Sequence, residues 1–248
     1  MLPEYQKDHT LFDGSTSFVH YSIIDTIYNN RPARILYTDN QSAAQSGLPF
    51  DNKPEMLFDY SQRFIEIVEG IKPKNVLILG GGAMTLPSKI NSLFPEIYID
   101  VFEIDGGLIE LASKYFNFKQ NSHLQVFIGD ARQLLKSTTQ KYDLILTDVF
   151  NSLDIPKQFN QPELPFEIKN CLNPKGLSAM NIIAAYYGPS ALNLRKTEAN
   201  FKKAFKNTAI FLGGDSFSLW MSQNFILLAG PTITKASDYL STKSLDHS

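Results

Sequence analysis

From residue 75 onward the chain alternates short apolar runs with segments of helical period. Val76-Leu77-Ile78-Leu79 stands between Asn75 and Gly80 with no polar position, the pattern of a strand buried on both faces. The alternation predicts strands at 75–79, 98–103, 124–128, 142–147 and 177–183, and helices at 85–93, 106–116, 131–136, 161–171 and 190–206. Strands separated by helices form a parallel, doubly wound α/β sheet with right-handed crossovers, whose ligands sit beyond the carboxyl ends of the strands. The tail breaks the rhythm: 208–212, 217–221 and 225–229 read as strands with no helix between them, so an antiparallel finish is expected.

Ahead of the alternation, residues 17–39 read as a β-hairpin turning at Asn29-Asn30-Arg31-Pro32. Residues 40–54 hold Gly47, Pro49, Asp51, Asn52 and Pro54 and read as a turn-rich connector. A helix is expected over 55–69, where Met56, Leu57, Tyr60, Phe64, Ile67 and Val68 recur at three and four, with Gly70 and Pro73 ending it. The division that follows is a small N-terminal β subdomain, 1–54, and a Rossmann-like domain, 55–248.

Composition adds exclusions. With 43% hydrophobic and 19% charged residues over 248 positions, neither disorder nor a fibrous fold is indicated. The net charge is -2 and the 23 basic residues are scattered, so no nucleic-acid footprint appears. The single cysteine, Cys171, lies among Ile168, Leu172 and Pro174 and reads as a core thiol. The histidines are dispersed and no multi-cysteine site exists, so no metal is expected. The N-terminus lacks a signal pattern and no apolar run is long enough to span a membrane; a soluble, cytoplasmic protein is expected.

The candidate chemistry sits at the strand ends. Gly80-Gly81-Gly82 lets the backbone turn tightly and approach a ligand, and the helix from Thr85 aims its free N–H groups at the same place. Glu103 ends the second strand about 20 residues on, where an acid hydrogen-bonds ribose hydroxyls. Asp130, after the third strand, suits either an adenine amino group or the cap of the helix beginning at Ala131. Asp148 ends the fourth strand and heads a long loop, a placement that fits substrate contact or loop bracing.

The runs VLILGGGAMTLP, VFEID, GDARQLL and YDLILTDVF, in that order, resemble the spermidine synthase-like (polyamine aminopropyltransferase) family, which has the class I S-adenosylmethionine methyltransferase fold. The resemblance covers roughly residues 17–230. It implies that Gly80, Gly81, Gly82, Glu103, Asp130 and Ala131 hold the nucleoside of decarboxylated S-adenosylmethionine or S-adenosylmethionine, and that Asp148 handles the attacking amine. A family glutamine near the co-substrate corresponds to Gln45. Two departures stand out. Family members carry an aspartate where this chain has Ala83, reading the amine end of the decarboxylated donor, and a second aspartate where it has Asn151. A polyamine wants several carboxylates, so Asp154, Asp59 and Asp39 are the acids to consider as substitutes.

The expected chemistry is attack by a neutral amine on a carbon activated by an adjacent sulfonium, with Asp148 orienting the amine and receiving its proton. Tyr21 and Tyr60 are candidate orienters, set against an ordinary packing role. Methyl transfer from S-adenosylmethionine to a small molecule and a non-catalytic protein of the same fold are the alternatives. A nicotinamide oxidoreductase fits less well, because Thr85 stands where its third glycine belongs. A small isolated hairpin is marginal alone, so a homo-oligomer, most simply a dimer, is expected.

Overall fold

A computed structural model of the chain describes residues 8–38, 43–149, 157–214, 217–231 and 233. The N-terminal apolar runs pair into an antiparallel sheet of β1 (His9–Ser15), β2 (His20–Tyr28), β3 (Arg31–Thr38) and β4 (Ala43–Pro49), in that spatial order. The expected hairpin is therefore only its middle. Asn29 and Asn30 both take positive φ, 48° and 59°, the two-residue turn whose twist matches the flanking strands, so Pro32 already lies in β3 opposite Ile27. The expected connector supplies β4: as an edge strand it tolerates Pro49 at its last position.

The remaining elements are α1 (Asp59–Ile71), β5 (Asn75–Leu79), α2 (Thr85–Leu93), β6 (Tyr98–Glu103), α3 (Gly106–Tyr115), β7 (Leu124–Ile128), α4 (Ala131–Ser137), β8 (Tyr142–Thr147), α5 (Leu164–Cys171), β9 (Leu172–Ala184), α6 (Leu192–Ala204), β10 (Thr208–Leu212) and β11 (Gln223–Ala229). They form one sheet ordered β10-β11-β9-β8-β5-β6-β7, parallel from β9 to β7 and antiparallel at β10 and β11. The order reverses beside β5, which places the ligand crevice at its carboxyl end. β5 faces two cores. Val76 and Ile78 pack with Phe64 and Ile67 of α1 and Ile90 of α2, while Leu77 and Leu79 pack with Leu135, Ile168, Leu194 and Phe201 of α4, α5 and α6. That double burial explains why this run carries no polar residue.

Several expected boundaries shift for identifiable reasons. α1 begins at Asp59 rather than residue 55 because the Arg31 guanidinium takes the carbonyls of Glu55 (3.2 Å) and Met56 (3.0 Å), while the Met56 N–H donates to Gln62 Oε1. It runs past Gly70 and stops in a left-handed Lys72 (φ 52°). α5 starts at Leu164, with Pro165 in its first turn, and the segment over 190–206 opens as a 3-10 turn, Pro189–Ala191, before α6. β9 extends back to Leu172 through a register shift against β8. The strand expected at 217–221 is absent. There Gln223 folds back on Ser218, accepting from its N–H and donating to its carbonyl, and Ser218 Oγ accepts from the Met221 N–H. The apolar side chains point outward, Trp220 at 72% exposure.

The two sheets are fastened together. Tyr21, Ile23 and Leu36 bury against Ala83, Leu108 and Leu111. Arg34 grips Asp25 with two nitrogens (2.7 and 3.0 Å) and donates to the Tyr115 carbonyl at the end of α3 (2.6 Å).

Candidate active site

At the end of β5 the backbone turns where side chains cannot go. Gly80 has φ 85°, and a Cβ there would lie 2.4 Å from the Asp148 carbonyl oxygen. Gly82 has φ 53°, and its Cβ would meet Ser46 Oγ at 2.5 Å. Both positions demand glycine twice over, by conformation and by space. Main-chain bonds lace the turn into the sheet: Gly80 N–H donates to the Phe102 carbonyl (2.9 Å) and Asp148 N–H to the Leu79 carbonyl (2.8 Å). From the other side, Ser46 Oγ of β4 accepts from the Ala83 N–H at 2.9 Å.

Glu103, at the end of β6, is 7% exposed. One carboxylate oxygen accepts from the Gly81 N–H (2.8 Å) and the other from the Asp105 N–H (3.0 Å), so acid and glycine turn are a single unit. Burial pushes its pKa up, while the N–H groups of Asp105 and Gly81 pull the other way. Asp105 caps α3 through the N–H groups of Gly107 and Leu108 and accepts hydroxyl protons from Thr16 (2.6 Å) and Tyr21 (3.1 Å). The Tyr21 hydroxyl is thus committed to a buried carboxylate, while its ring forms part of the wall. Asp130 caps α4 by accepting from the Gln133 N–H (3.0 Å), and Ala131 is the first helical residue behind it.

On the other side of the glycine turn stands Asp148. Its Oδ1 accepts from Asn181 Nδ2 at 3.0 Å, and the Tyr60 hydroxyl also hydrogen-bonds the carboxylate. Burial pushes the Asp148 pKa up to about 6 against the opposing pull of Asn181 and Tyr60. Tyr60 is itself driven well above the usual phenol range, first by burial and then by the Asp148 charge. Its ring stacks on Phe58 at 6.0 Å.

One cavity of about 540 Å³ joins these groups. Gln45, Tyr21, Tyr60, Gly80, Gly81, Gly82, Glu103, Asp130, Ala131 and Asp148 all line it; Gln45 donates to Thr38 Oγ1 (3.4 Å). Asn151, Asp154 and Asp39 lie outside the described residues. Ala83 does not reach the cavity: it is fully buried among Tyr21, Ile23, Leu36 and Leu108. Adjacent strands lie about 4.8 Å apart, so Glu103 and Asp148 leave strand ends roughly 10 Å apart on either side of β5. The lining carries four carboxylates, Glu103, Asp105, Asp130 and Asp148, and among the described residues no lysine, arginine or histidine. Such a cavity favours a cationic guest.

Among the described residues no group of three or more His, Cys, Asp or Glu is placed to hold a metal ion, and no helix is long and apolar enough to cross a membrane. Cys171 is a buried thiol donating to the Leu135 carbonyl (3.3 Å). Sequence reasoning missed Ser46, Asn181 and Asn224. Asn181 left a signal, a lone amide inside the apolar run of β9; Ser46 left none, because Gly47 and Pro49 give its strand the composition of a connector.

The profile of the spermine/spermidine synthase domain matches residues 55–213. The chain belongs to this family. The polyamine aminopropyltransferase of Vibrio vulnificus is 37% identical over 113 residues, which cover 44% of this chain and 38% of that protein. The chain therefore spans well under half the length of that curated relative. Among solved structures, a probable spermidine synthase from Corynebacterium glutamicum superimposes with a TM-score of 0.74 at 19% identity, covering 88% of this family member and 79% of that chain. A spermidine synthase solved in complex with the transition state analogue AdoDATO gives 0.73 at 14% identity, covering 93% and 76%. At those identities the two structures establish the shared fold.

Proposed function

We propose that the protein transfers an aminopropyl group from decarboxylated S-adenosylmethionine to a small amine, as in polyamine biosynthesis. The observation that carries this reading is the cavity whose lining holds four carboxylates and, among the described residues, no basic side chain, with Glu103 and Asp148 on opposite sides of the glycine turn. Family membership and the Vibrio aminopropyltransferase support it.

The cradle fits such a donor, since the turn at Gly80, Gly81 and Gly82 lines the cavity with backbone that carries no side chain and Glu103 presents a buried acceptor beside it. When bound there, the sulfonium supplies an electrophilic carbon: the amine nitrogen bonds to it, the carbon–sulfur bond breaks, and sulfur keeps the electron pair as a neutral thioether. Asp148 holds the amine with its lone pair free and takes the proton that nitrogen sheds. Near neutral pH a carboxylate with a pKa of about 6 is ionised yet still basic enough to accept that proton. Tyr60 and Asn181 hold the base in place.

The position of Ala83 favours a second reading. No acid there meets the donor's amine end, so methyl transfer from S-adenosylmethionine is the alternative. Incubation with each donor and a panel of amines, followed by mass spectrometry, separates them. Aminopropylated amine and methylthioadenosine are expected from the decarboxylated donor only; methylated amine would transfer the proposal to the second reading, and no product from either donor would end both. The same reading takes the protein as a dimer, and a monomeric mass by light scattering counts against that part.

A further inference from the structure

Asn181 is a polar residue in the interior of an apolar strand, 1% exposed between Met180 and Ile182. A buried amide is tolerated only with its hydrogen bonds made. This one is satisfied on both sides. Its Oδ1 accepts from Asn224 Nδ2 at 3.0 Å and its Nδ2 donates to Asp148 Oδ1 at 3.0 Å. Asn224 stands on β11, paired with Ile183 two residues along β9, so the amides meet diagonally across the antiparallel pair. The donor from Asn224 occupies the Asn181 oxygen, which leaves the Asn181 NH₂ facing the carboxylate. Asp148 follows Thr147, which pairs with Met180, so base and amide leave neighbouring parallel strands side by side.

The geometry points to Asn181, braced by Asn224, as the positioning residue that aims Asp148 into the cavity and stabilises its ionised form. The inference rests on the reading of Asp148 as the amine's base. Among the described residues, the groups facing the carboxylate are few. Tyr60 comes from α1 and Asn181 from β9, the β5 turn offers glycine, and Glu103, Asp105 and Asp130 lie beyond that turn. The two side-chain partners of Asp148 among the described residues, Tyr60 and Asn181, are donors that keep their protons throughout the working pH range. A proton accepted by Asp148 therefore stays there until it passes to solvent, and the donors set how readily it leaves.

The test follows Asp148 itself by infrared difference spectroscopy, with Asp148→Asn as the reference, in the parent, Asn181→Leu and Asn224→Leu. Removing the direct donor is expected to raise the Asp148 pKa by about one unit, and removing its brace to raise it by less. The acid limb of the kcat profile should move by the same amounts. A lower melting temperature with an unmoved carboxylate titration means Asn181 is only structural and overturns the inference. If Asn181→Leu fails to fold, Asn224→Leu carries the test, and an unchanged titration there overturns it equally. A shifted titration in a protein that transfers nothing from either donor would uphold the positioning role while removing the proposed activity.

Discussion

Ser46 Oγ lies 2.9 Å from the Ala83 nitrogen, so the N-terminal sheet holds the glycine turn from outside the sheet that forms it. Ser46→Ala leaves that buried N–H without a partner, at a cost of about 1–3 kcal/mol. Lower melting temperature together with weaker adenosyl binding is the expected outcome. Unchanged calorimetric affinity would show that the turn keeps its shape unaided.

Glu103 accepts from both the Gly81 and Asp105 N–H groups, so its removal frees the glycine turn from the end of β6. Glu103→Ala should weaken an adenosyl ligand such as methylthioadenosine by about 1.5–3 kcal/mol, the range for hydrogen bonds to a charged group. Equal affinity in mutant and parent by titration calorimetry contradicts the assignment.

Tyr21 provides a contrast. Its hydroxyl is spent on Asp105, which keeps bonds from Thr16, Gly107 and Leu108 when the tyrosine is shortened. Tyr21→Phe is expected to lower stability by about 0.5–1.5 kcal/mol and to leave ligand affinity unchanged. A large rise in KM for the amine would assign the hydroxyl to substrate after all.

Asp148→Asn should reduce turnover by about 10²–10⁴-fold with adenosyl binding intact. Its effect on stability has the opposite sign. The folded carboxyl, with a pKa of about 6, binds a proton more readily than an unfolded aspartate near 3.9. Folding is therefore helped by this group below about pH 4, and that help is lost as pH rises through about 6. At pH 7.5 the asparagine variant is expected to be more stable, on the order of 1–3 kcal/mol, with the gain vanishing near pH 4. Melting curves at the two pH values decide it.

Much of this architecture is legible in the residue pattern. Strands 75–79, 98–103, 124–128 and 142–147 begin and end where the apolar runs do, because each is bounded by polar or turn residues, and 75–79 and 142–147 are walled by both cores. The acids at their ends follow from topology. What stayed hidden depends on which partner each segment finds in the folded chain. β4 is a strand because β3 is beside it, despite Gly47 and Pro49. The segment 217–221 is apolar yet no strand, because Gln223 folds it back on itself. The bond from Asn181 to Asp148 spans 33 positions, and only the juxtaposition of two parallel strands brings it about.

The contact between Gly80 and the Asp148 carbonyl has a consequence for how such a site diversifies. The glycine turn and the strand end that bears Asp148 are tied by main-chain bonds to Leu79 and Phe102, while Ser46 and Glu103 hold the turn from its other sides. Under the proposed reading, the gap between donor and base is thus a gauge held by these bonds and not by wall residues such as Phe58 and Phe159. If the protein transfers as proposed, exchanging those walls would change which amine fits without changing the distance the transferred group must travel, so new acceptors would be open to drift while the transfer geometry is inherited whole.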